Sequence, residues 1–94
     1  MDNPEAARLA ESLRAAMTTQ GLNLPALAER VERLTGERPD RMRVSRWTSG
    51  ARPLIRISPD LAIVADALGL DPVDLLCDAI RAAAADRVAA SAGA

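Results

Sequence analysis

Apolar residues recur along this chain at helical rather than strand spacing, and glycines and prolines divide the stripes into five segments. Ala6, Leu9, Ala10, Leu13 and Met17 stand at i, i+3, i+4, i+7 and i+11. They predict a first helix that starts at Pro4 behind an Asn3 cap and is ended by Gly21. Asn23 caps a second helix with Pro25 in its first turn, a stripe of Leu27, Ala28, Val31 and Leu34, and a stop at Gly36. Pro39 bars its continuation. Asp40 caps a third helix, running to about Ser49 before Gly50. On this helix Val44 and Trp47 share one side. Met42, Ser45, Arg46 and Ser49 share the other, with Arg41 on the flank. An extended stretch over 51–57 is expected next. Ser58 then caps a fourth helix with Pro59 at its first position, a stripe of Leu61, Val64, Ala65 and Leu68, and a stop at Gly69. Asp71 and Pro72 open a fifth helix, whose stripe reads Val73, Leu76, Cys77, Ile80, Ala84 and Val88. The fold class is all-α: five short helices in one domain.

Composition agrees with helices. Of 46 apolar residues 20 are alanine and 12 leucine, Trp47 is the only aromatic, and β-branched residues are few. Ninety-four residues suit one domain with a compact, sequence-local core. The absences narrow function. The chain has no histidine, lysine or tyrosine and one cysteine. A disulfide, a Cys/His zinc site, a histidine base, a lysine Schiff base and a Ser-His-Asp triad are therefore excluded within one chain. No enzyme activity, metal or cofactor is implied. No apolar run approaches the roughly 20 residues of a membrane span, and the acidic start of the chain lacks the apolar region of a signal peptide. A cytoplasmic protein without a membrane partner is expected.

The net charge of −1 conceals a strong asymmetry. Residues 30–56 hold eight arginines against three acids, whereas 1–29 and 57–94 are both acidic. The charge of the middle third lies around the short third helix. Cys77, on an apolar stripe, reads as an inert buried side chain. The acids of the last third (Asp60, Asp66, Asp71, Asp74, Asp78) read as caps, dipole partners and charges that repel DNA from the wrong face.

The second and third helices, joined by a turn, make a helix-turn-helix pair. Gly21-Leu22-Asn23 leads into Leu27-Ala28-Glu29-Arg30, and Val44-Ser45-Arg46-Trp47 precedes Gly50. Ala67-Leu68-Gly69-Leu70-Asp71-Pro72 then leads to Leu75-Leu76. In that order these segments resemble the Cro and lambda-repressor-like helix-turn-helix family of bacterial and phage regulators, over roughly residues 9–76. The chain departs from the family between Leu34 and Asp40, where five residues stand in place of about two. Either the second helix gains a turn or the connection is a longer loop. The segment between Gly50 and Ser58 is also long.

The resemblance implies a sequence-specific transcription regulator of the phage repressor or Cro-like kind, bound to a double-stranded DNA operator. The helix-turn-helix domain would cover 1–78, with a C-terminal helical extension and frayed tail at 79–94. Aligned on Val44 and Gly50, the base-reading positions fall on Arg41, Met42, Ser45 and Arg46. A guanidinium fork matches guanine O6 and N7, and a methionine suits a thymine methyl. Phosphate contacts are expected from the Asn23 end of the second helix, Arg38, Arg43, Arg52 and Arg56. One recognition helix per chain buries little surface, so a homodimer, at least on DNA, is expected through Ile80, Ala84 and Val88. The alternative is an antitoxin or adaptor-type module that binds a protein partner through the C-terminal helix.

Overall fold

The computed structural model describes residues 4–50 and 54–92, with the side chains of 54–59 excepted. Five helices follow one another: α1 (Pro4–Thr19), α2 (Leu24–Thr35), α3 (Arg41–Ser49), α4 (Leu54–Leu68) and α5 (Pro72–Ala92). There is no strand among the described residues. The central element is α1, which runs along α5 and touches α3 and α4, while α2 packs on α3 and α4. Leu9, Leu13, Leu27, Val44 and Val64 are the largest wholly buried side chains, so α1, α2, α3 and α4 all reach the same core.

Local chemistry sets the ends of these helices. The Asn23 carboxamide accepts a hydrogen bond from Ala26 N–H at 2.9 Å, which satisfies a donor that the first turn of α2 leaves free. Asp40 accepts from Arg43 N–H at 2.8 Å, and Asp71 accepts from Val73 and Asp74 N–H at 2.8 and 3.2 Å. Gly36 and Gly50 close α2 and α3 in the left-handed conformation, at φ 81° and 73°. α2 therefore stops on schedule. The five-residue stretch before Asp40 is a longer connection and not an extra turn of helix.

Three expectations are corrected. α4 begins at Leu54, four residues before the expected Ser58 cap. Leu54 and Ile57 continue the Leu61, Val64, Leu68 spacing backwards, and Pro59 then falls sixth in the helix, forgoing the bond its amide would have made to Ile55 C=O. Leu34 is 53% exposed, because the core contacts of α2 end at Val31. The buried face of α5 is Leu75, Ala79 and Ala83, and not the stripe read from sequence. Val73, Ile80 and Val88 are exposed, and Cys77 is half-buried.

The reason for the last correction lies at the α1–α5 seam. Small side chains at Ala79 and Ala83 let α5 lie close against α1, and charges fasten the seam at its far end. The Arg8 guanidinium donates to both Asp86 oxygens (2.8 and 2.6 Å), and Arg87 pairs with Glu5. Arg8 lowers the pKa of Asp86. Glu5 is lowered too, first by its backbone hydrogen bond and then by Arg87. The second half of α5 is thus held on the body as far as Arg87 and is not a free extension.

Gly50 has a second role besides its backbone angle. A Cβ there would stand 3.0 Å from Ala7 Cα on α1, whereas one at Gly36 would meet nothing within 4 Å. Gly50→Ala combines left-handed strain with a backbone clash and is expected to cost about 2–4 kcal/mol. Gly36→Ala carries the strain alone, about 1–2 kcal/mol. Denaturant unfolding followed by Trp47 fluorescence checks the order of the two.

Candidate nucleic-acid interface

α3 is a nine-residue helix with two unlike sides. Val44, Trp47 and Thr48 are buried, Trp47 to 3% exposure. Arg41, Met42, Ser45 and Arg46 face solvent, and Met42 is 66% exposed. Burial of the first set fixes the rotation of the helix about its own axis and thereby turns the second set outward.

The C-terminal end of α3 is held by α1. Arg14 of α1 donates to Thr48 C=O, one of the carbonyls that a helix end leaves without a partner. Gly50 closes the same end against Ala7. The opposite flank is held by α4. Asp60 accepts the Trp47 indole N–H at 2.9 Å and also receives Arg43 through Nε (3.2 Å) and Nη2 (2.5 Å). The Arg43 guanidinium stands over the Trp47 ring, 5.8 Å from its centroid. The Asp60 carboxyl is held below its ordinary pKa, chiefly by Arg43 and then by Trp47, against the opposing effect of burial.

These contacts sort the arginines of the basic segment. Arg30 donates to Gln20 Oε1 (2.5 Å) and Ala67 C=O (3.2 Å), tying α2 to the end of α4. Arg33 pairs with Glu29 at 3.0 Å, and Arg38 lies 3.8 Å from Glu32. Arg43, expected at a phosphate, is paired with Asp60 in this structure. Its guanidinium is a brace between α3 and α4. Arg52 lies outside the described residues, and Arg56 falls in the first part of α4 where side chains are not described. Among the described residues, Arg41 and Arg46 are the two arginines of this segment that make no ion pair or side-chain hydrogen bond. Both lie on the outward side of α3, beside Met42 and Ser45.

The first turns of α2 and α3 flank a groove of about 510 Å³ beside Arg41. Leu24, Pro25, Ala28 and Val44 line it together with Arg38, Pro39 and Arg41. Asn23 precedes Leu24 of this lining, its carboxamide engaged as the cap of α2. The expected base-reading residues thus share one helix face, with Arg38 and Asn23 nearby and Arg43 turned to the body. Asp60 is the residue that sequence reasoning missed. Its sequence context gives it no more than a share among the caps, dipole partners and DNA-repelling charges of the last third, and no local pattern links it to Trp47, 13 residues earlier.

Among the described residues no group of three or more acidic, cysteine or histidine side chains is placed to hold a metal ion, and no helix is long and apolar enough to cross a membrane. No protein-family model, curated protein or solved structure matches this chain.

The Asp60 brace has a pH signature. Because the folded pKa is depressed, its stabilisation is complete above the unfolded-chain value and is lost as pH falls through the folded one. The thermal midpoint of Asp60→Asn is expected to lie below that of the unaltered protein at neutral pH. The gap should narrow below about pH 4, where aspartate protonates. Melting curves between pH 7 and 2 measure it.

Proposed function

We propose that this chain is a sequence-specific double-stranded DNA-binding regulator of the helix-turn-helix kind, with α2 and α3 as the pair and α3 as the element that enters the major groove. One observation carries the reading. Within a segment where the other described arginines are paired internally, Arg41 and Arg46 stand unpaired on the solvent face of a short helix whose opposite face is locked into the core. An α-helix fits the major groove, and side chains at its N-terminal end and along its outer face meet base edges there. Arg41 and Arg46 take guanine O6 and N7, Met42 lies against a thymine methyl, and Ser45 serves either base type. Arg38 and the Asn23 end of α2 meet phosphates, as do Arg52 and Arg56 where the path of the duplex brings them close.

A homodimer supplies the second half-site, and Ile80, Ala84 and Val88 on the exposed side of α5 are its contact surface. The same exposed apolar residues favour a second reading, a module that binds another protein through α5. Salt separates the two readings. A DNA complex loses affinity in proportion to the phosphates engaged, with a slope of about −0.9 per phosphate on logarithmic axes. An apolar helix contact is far less sensitive.

The deciding experiment is selection of duplexes from a random library, followed by titration of variants. Arg46→Ala and Arg41→Ala are each expected to weaken the selected duplex by about 1–3 kcal/mol and to relax preference at one G·C pair, while binding to random duplex changes little. Equal weakening on every sequence would reassign that arginine to a phosphate. Failure of the unaltered protein to bind any duplex would overturn the regulator reading.

A further inference from the structure

The contacts of Asp60 exceed what a helix brace needs, and their excess has a consequence at the DNA face. A hydrogen bond to the Trp47 indole is enough to lock the tryptophan. Asp60 in addition engages Arg43 through two of its nitrogens, although the Arg43 side chain remains 47% exposed. Arg43 follows Met42 directly and precedes Ser45 by two residues, so it stands on the flank of the face assigned to the major groove. A free guanidinium at that flank is within reach of the phosphates that border the groove, and a phosphate contact raises affinity for every sequence alike.

We propose that Asp60 is a specificity-determining positioning residue, which withholds Arg43 from the DNA backbone so that Arg41 and Arg46 decide where the protein binds. The inference rests on the DNA reading above. Three features support it. The Arg43 charge is neutralised by a carboxylate that cannot leave easily, since its second oxygen also accepts from a buried indole. The stacking of Arg43 on the Trp47 ring holds the guanidinium against the body and out of the groove direction. The Asp60 side chain, only 21% exposed, sits on α4 and moves with the core rather than with α3. Asp60 thus lowers the affinity of the protein for DNA in general while leaving the base-reading face untouched, which widens the ratio between a chosen site and the rest.

Asp60→Asn tests this directly, because asparagine keeps an acceptor for the indole and removes the charge that holds Arg43. Binding is measured across a salt series on a duplex recovered by selection and on a mixed-sequence duplex of equal length. The unaltered protein, D60N, and D60N combined with Arg43→Ala are compared, and circular dichroism establishes that each is folded. D60N is expected to bind mixed-sequence DNA several-fold more tightly, with a salt slope steeper by about 0.9 and a smaller ratio between the two duplexes. Adding Arg43→Ala should return the slope to that of the unaltered protein, a reversal that a merely structural role of Asp60 would not produce. An unchanged slope in folded D60N overturns this role of Asp60 and leaves the DNA reading standing. Absence of duplex binding by the unaltered protein overturns both.

Discussion

A helix of nine residues does not persist in water on its own hydrogen bonds. α3 exists because Val44 and Trp47 are buried between α1, α2 and α4, and everything proposed for its outer face depends on that burial. Trp47 is the single large anchor. Its ring belongs to the same buried cluster as Leu9, Leu13, Leu61 and Val64, and its indole nitrogen donates to Asp60. Core contact, cap and brace each remove a freedom from α3: rotation about its axis, fraying at its start, tilt away from α4. What remains exposed is held in one orientation, and a side chain that must distinguish one base pair from another needs that rigidity.

Much of this was legible in the residues. Asn23, Asp40 and Asp71 act as caps where their spacing predicts, because capping is local chemistry between a side chain and an amide two or three residues on. The stripe of α1 is buried to the last residue, since a helix at the centre of the fold is covered along its length. The division of α3 into a core side and a solvent side follows from Val44 and Trp47 alone, and it turns Arg41, Met42, Ser45 and Arg46 outward. Their chemistry toward DNA belongs to the proposal and not to the pattern.

The misreading of α5 and the missed partner of Arg43 concern contacts made far along the chain, and the misplaced start of α4 turns on a proline. On α5 the larger apolar residues Val73, Ile80 and Val88 give the stronger periodic signal, yet the buried side is the one carrying Ala79 and Ala83. Alanine weighs little in a hydrophobicity pattern, but close helix approach selects for it. Arg43 looked like any other cation of the basic segment until Asp60 was found opposite. Pro59 was taken as a helix start because prolines usually sit there, whereas the helix absorbs it at its sixth residue.

The seam between α1 and α5 has a consequence for how the molecule comes to exist. Arg8 meets Asp86 across 78 positions of sequence, and Glu5 meets Arg87 across 82. The helix at the centre of the fold is therefore made first and covered last. During synthesis the side of α1 that takes α5 waits in the open until the fifth helix has left the ribosome, and a chain stopped short of α5 would be left holding out a half-clad helix to its neighbours.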